Sequence, residues 1–208
     1  MMEEHFYIKI NGDNKDIKIN DALKQELFNA YKSEKIFQDD FFVIPIINFT
    51  MELTDDIESC YFGKRFIPCT ILTRSLLDAT MSLIYFLQVP NYDYHSFFEE
   101  YLKTGELTKA PNKNGKRWRV TGKELCKIFK SKVKYDVSES YQNLSRYVHP
   151  TIKHFYSIYQ DLENEKFELT VYGSNTKFNN EQYLELRQLI YSCIDVLILV
   201  LNQRGGIF

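Results

Sequence analysis

Residues 67–88 are apolar nearly all the way round a helix, and that one run dictates what the rest of the chain must do. Pro68 suits a first helical turn, where no backbone N–H is needed. The only polar line is Thr70, Arg74, Asp78 and Ser82, spaced by four so that they stack on one face. Such a helix has to be surrounded, because no single partner covers all of its faces. The polar line has two readings. It is the strip left facing water, or it is the wall of a polar cleft in which Arg74 meets a phosphate and Asp78 holds it in place.

The remaining sequence supplies helical partners. Only 8 Gly and 5 Pro occur in 208 residues, which argues for long helices and against a sandwich or barrel. Apolar residues make up 44 %, too many for general disorder. Spacing predicts a helix from about Asp21, capped by Asn20 or Asp21, with Leu23, Leu27, Ala30 and Tyr31 on one face. A second spans residues 42–61, with Pro45 in its first turn or delaying its start and Gly63 ending it. Others cover residues 94–104, 121–133, 151–162 and 180–203. The last carries Glu181, Glu185, Gln188, Ser192, Asp195 and Asn202 on one polar stripe, so Asp195 reads as a surface residue. Residues 6–10 and 16–20 flank Asn11-Gly12-Asp13 and read as a small hairpin, while residues 167–172 alternate as an extended arm. The expectation is one mainly α domain over 1–208, with an extended segment 1–20, a helical core 21–208 and a basic loop 105–120.

Charge is distributed unevenly. The net value is only −2, yet residues 103–134 carry eleven Lys or Arg against two Glu. The loop 105–120 concentrates Lys113, Lys116, Arg117, Trp118 and Arg119, and Trp118 is the only tryptophan. Cations interleaved with an aromatic suit phosphate contacts plus base stacking in single-stranded nucleic acid. The plain alternative is a lysine-rich solvated loop whose Trp118 tucks into the core. The following helix adds Lys123, Lys127, Lys130 and Lys134 along one stripe, opposite Leu125, Ile128, Phe129 and Val133. Loop and helix together form a candidate RNA-binding surface.

A second candidate lies at residues 141–150. Tyr141, Leu144 and Val148 fall on an apolar stripe, with Gln142, Ser145, Arg146 and His149 along its polar edge. Pro150 disfavours helical geometry at His149 and so places it at a helix terminus. A histidine there can move protons at neutral pH, or simply cap the helix.

Several chemistries have no residues to carry them. Cys60, Cys69, Cys126 and Cys193 form no C-x-x-C pair, and His5, His95, His149 and His154 form no i, i+4 pair, so neither a metal nor a cofactor is expected. There is no glycine-rich phosphate loop and no G-x-S-x-G elbow. Asp39-Asp40 and Asp55-Asp56 are adjacent in sequence and so do not face each other on a helix. No signal peptide is visible, and the apolar run 189–201 is too short to span a bilayer and contains Asp195, so a soluble cytoplasmic protein is expected. A metal-independent ribonuclease asks for less: an acid/base and cations for the developing phosphorane charge, which His149, Arg146 and Arg74 can supply.

Arg74-Ser-Leu-Leu-Asp78, followed some seventy residues later by Leu144-Ser-Arg-Tyr-Val-His-Pro150, resembles HEPN-type helical proteins. It is similar to a bacterial branch with an arginine-to-acidic helix and an L-S-x-Y-V-H-P-like segment, and the resemblance covers roughly residues 40 to 202. It implies an antiparallel four-helix core, homodimers whose histidine helices line a shared cleft, and roles in stress response, toxin or phage-defence systems, often as metal-independent ribonucleases. It also implies an arginine separated from the histidine by four to six residues. Those positions here are Leu144, Asn143 and Gln142, whereas Arg146 lies three residues before His149. The catalytic candidates are therefore His149, Arg146, Arg74, Asp78, Ser145 and Asn143. The expectation is an RNA- or partner-binding protein, with a metal-independent endoribonuclease using His149 as the alternative.

Overall fold

The computed structural model describes residues 5–9, 16–32, 37, 39–89, 94–109, 111, 114–148, 159–162, 166–169 and 178–205. Among these, seven helices dominate: α1 (Ile19–Tyr31), α2 (Asp40–Phe62), α3 (Phe66–Phe86), α4 (Tyr94–Thr104), α5 (Gly122–Val133), α6 (Ser138–Val148) and α7 (Asn180–Gly205). Two antiparallel strand pairs accompany them. β1 (Tyr7–Ile8) pairs with β2 (Ile17–Lys18), and β3 (Tyr159–Leu162) pairs with β4 (Lys166–Leu169).

The apolar run becomes α3, and it is central as its composition demands. It packs against α2, α5, α6 and α7. By length and composition it is the one helix among the described residues that would suit a membrane span, but half of that stretch is buried by its neighbours. Leu76, Leu77, Met81 and Leu83 are fully buried, against Val43, Ile47 and Ile57 of α2 and Ile190, Ile194, Leu197 and Leu201 of α7 in the same cluster. Each such side chain contributes about 1.5–3 kcal/mol on leaving water, before the entropy of ordering it is counted. A satellite aromatic cluster ties α4 on, with Phe42 stacked on Phe86 at 3.7 Å and Phe97 edge-on to Phe86.

Local chemistry moves several boundaries. α1 starts at Ile19, two residues early, because fully buried Ile19 has to face the core. Neither Asn20 nor Asp21 caps it; the Asn20 amide instead donates to the Met51 carbonyl and to Asp55 on α2. Pro45 lies beyond the first turn of α2, on an outer side shared with exposed Phe41 and Phe49. The backbone bond it forgoes there is one that solvent can replace. Gly63 follows α2 with φ −73°, and Lys64, at φ 54°, is the left-handed residue of the turn. Glycine is needed at 63 for space, since a Cβ would stand 2.7 Å from the Ser59 carbonyl oxygen.

Two expected elements change type. Residues 159–162 are a strand and not the end of a helix, drawn into pairing with the alternating arm at 166–169; residues 151–158 of that expected helix lie outside the described residues. The basic loop contains a ribbon: Thr108 bridges Arg119 antiparallel, and Lys109 donates to the Trp118 carbonyl while Val120 donates to that of Leu107. The Tyr85 hydroxyl anchors it to α3 through the Thr108 carbonyl at 2.8 Å.

The adjacent acids at the start of α2 have one partner. Arg204, near the end of α7, pairs with both Asp39 and Asp40. Asp40 is fully buried and also accepts from the Tyr31 hydroxyl and the Phe37 N–H. Burial, then Asp40 itself, push the Tyr31 phenol well above its ordinary range. One ion cluster thus fastens the ends of α1, α2 and α7.

Candidate functional site

The polar line on α3 is covered over its first half, while Asp78 and Ser82 remain partly exposed. Thr70 is fully buried and Arg74 is 8 % exposed, because α6 packs along this face. The Thr70 hydroxyl turns back to the Phe66 carbonyl, as Ser82 does to that of Asp78. The Arg74 guanidinium pairs with Asp78 one turn on, lies 3.6 Å from the centre of the Tyr141 ring, and donates from Nε to Ser145 Oγ at 3.3 Å. Ser145 in turn donates to the Tyr141 carbonyl. Burial pulls the Arg74 pKa below its ordinary value while Tyr141 opposes that shift, and a guanidinium stays charged throughout. Tyr141 is wedged from behind by the start of α5, where a Cβ on Gly122 would overlap its hydroxyl.

Three of the six catalytic candidates, Arg74, Asp78 and Ser145, therefore come together. Asn143 and Arg146 do not join them. Asn143 lines a separate cleft of about 190 Å³ between α3, α6 and α7, walled by Phe66, Thr70, Leu144, Tyr147 and Glu185 among others. Arg146 is exposed on the outer side of α6. His149 lies outside the described residues. The apolar stripe of α6 also differs from expectation: Tyr147 is buried at 7 % exposure and Val148 is 44 % exposed. Tyr147 takes the core position because its ring packs edge-on against Phe66 of α3.

The basic surface has a different character. Trp118 is 55 % exposed, so the indole does not tuck into the core. The Lys116 ammonium sits 4.4 Å from the centre of the indole. Arg117 donates to the Lys109 carbonyl and the Ser96 hydroxyl, drawing the ribbon against α4. Arg119, on the opposite face of the ribbon from Trp118, pairs with Glu106 at 3.1 Å. Lys113 lies outside the described residues.

On α5, Leu125 and Phe129 are buried as expected, while Lys123, Lys127 and Lys130, and Lys134 just after its end, are exposed. Lys130 pairs with Asp136 at 2.5 Å, and among the described residues no acid pairs with Lys123 or Lys127. Thr121 and Glu124 form a reciprocal capping box at the start of α5. Glu124 also pairs with Lys109 of the ribbon, and Lys109 followed by the Thr121 bonds hold its carboxyl down at about 2. The spacing Thr-x-x-Glu announces this cap in the sequence, but nothing there links it to Lys109. Tyr141 was likewise readable only as core, since its pairing with Arg74 joins two helices far apart in the chain.

The four cysteines are buried, and burial raises the thiols of Cys69 and Cys193 to about 12, so none is a ready nucleophile. Asp195 is exposed. No family model, curated protein or solved structure matches the chain.

Proposed function

We propose that this is a HEPN-like helical protein of bacterial or phage stress and defence biology that binds RNA without cutting it. The observation that carries the binding is the exposed indole of Trp118 with an ammonium over it, on the ribbon that leads into α5, whose exposed Lys123 and Lys127 pair with no acid among the described residues. An exposed tryptophan loses little by waiting in water if a base later covers it, and lysines near it neutralise the phosphates that arrive with the base. What supports the family reading is the sequence resemblance, together with the packing of α2, α6 and α7 around α3.

The absence of cutting rests on Arg74. An arginine that stabilises a phosphorane has to present N–H groups to the reacting phosphate. Here the guanidinium is covered by Tyr141, Ser145 and Asp78, which suits the fastening of α6 to α3.

The test is anisotropy of a labelled single-stranded oligoribonucleotide over a range of salt concentrations, in EDTA. The reading expects binding whose logarithm falls linearly with the logarithm of salt, and RNA recovered intact. Each phosphate that the protein no longer neutralises should make that slope shallower by about 0.7. Lys123→Gln with Lys127→Gln should therefore weaken binding and flatten the slope. Cleavage in EDTA that disappears in His149→Ala would establish the nuclease instead. Neither binding nor cleavage would leave a protein partner or a second copy of the chain as the occupant.

A further inference from the structure

Between the ribbon and α5 lies a second hollow, of about 300 Å³, lined by Tyr85, Lys109, Val120, Glu124, Lys127 and Ile128. Tyr85, Val120 and Ile128 give it an apolar lining, and the other three residues are charged. Its size is at the lower end of small-molecule sites, suited to one ring system and not to a longer ligand. Lys109 and Lys127 stand at its rim, and Lys109 is already neutralised by Glu124. Trp118 shares the hollow's side of the ribbon, because it precedes Val120 by two residues of extended chain.

Resting on the RNA-binding reading, we propose that this hollow takes a single unpaired nucleobase, making the protein a reader of single strands. A phosphate does not belong inside, where the walls are apolar and the nearest anion is the Glu124 carboxylate. A flat, largely apolar ring does. The preceding base lies on Trp118, and Lys116 and Lys127 meet the backbone on either side of the inserted base. A duplex cannot reach the hollow, because its bases are held in the stack and only its phosphates are offered.

Three probes of equal length separate the layers: single-stranded RNA, duplex RNA, and an abasic strand that keeps the phosphates and lacks the bases. The inference expects the base-bearing single strand to bind roughly tenfold or more tightly than either of the others at the same salt. Filling the hollow with Ile128→Phe should reduce binding of the base-bearing strand and leave the abasic strand unchanged. If that variant does not fold, Ile128→Met, a milder filling by a flexible side chain, makes the same comparison. Equal affinity for abasic and base-bearing strands overturns the inference and leaves a phosphate-binding surface intact. Failure of all three probes to bind overturns the RNA reading beneath it.

Discussion

Arg74→Ala tests whether this arginine fastens two helices or waits for a ligand. The variant removes a charged donor to Ser145, and hydrogen bonds to charged groups contribute about 1.5–3 kcal/mol. It removes a guanidinium 3.6 Å from the Tyr141 ring centre, a partly desolvated stack on the order of 1 kcal/mol. It also empties the space filled by the arginine stem. Asp78 adds little, since its side chain is 45 % exposed and regains water once its partner is gone. The effects overlap, and about 3 kcal/mol is the expected loss. Arg74→Met keeps the stem and removes the desolvated charge, so it should cost only about 1 kcal/mol. Urea unfolding followed by circular dichroism reads both, with a midpoint shift of roughly 1–2 M for the alanine variant. A double-mutant cycle with Ser145→Ala should show coupling of about 1 kcal/mol. An alanine variant as stable as the parent would refute the fastening role and leave Arg74 as a residue held for a ligand.

Three further outcomes follow from the packing. Gly122→Ala drives a methyl into the Tyr141 hydroxyl and ring edge and should cost about 2 kcal/mol, little of it recovered on adding Tyr141→Phe, which keeps ring carbons 2.5 and 2.9 Å from the new methyl; thermal unfolding of both variants decides. Arg204→Met strands the fully buried Asp40 carboxylate and should cost about 3–5 kcal/mol, whereas adding Asp40→Asn should restore a large part, again by urea unfolding. Glu124 has a folded pKa of about 2 against an ordinary value of about 4.3, so its contribution is complete above roughly pH 5 and is lost as pH falls towards 2. Trp118 emission should therefore change between those limits in the parent protein and less so in Glu124→Gln, which keeps the cap but not the titration.

The helices were legible because their signals are local. Residues 94–104 and 121–133 carry amphipathic spacing that no tertiary contact has to correct, and α4 and α5 fall there within a residue. Near the ends of elements, long-range partners decide. Ile19 joins α1 because the core needs it, and residues 159–162 become a strand because 166–169 offers a ladder. The polar line on α3 shows the limit most clearly. Spacing put Arg74 and Asp78 on one face, but whether that face met water or α6 depended on a helix about seventy residues away. The exposure of Trp118 was equally beyond composition, since an indole beside lysines is as compatible with a core as with a surface. It is visible only in the folded ribbon, where Trp118 is 55 % exposed.

Because Trp118 is the only tryptophan, tryptophan emission reports on this one position of the proposed interface. The most direct measurement is a titration of the intact protein with a single-stranded oligoribonucleotide at low salt, following that emission. RNA binding through this surface predicts saturable quenching that reverses on raising the salt and is weakened when Lys123 and Lys127 are replaced. Emission that stays unchanged while RNA is shown to bind would place the nucleic acid elsewhere on the protein and contradict the account.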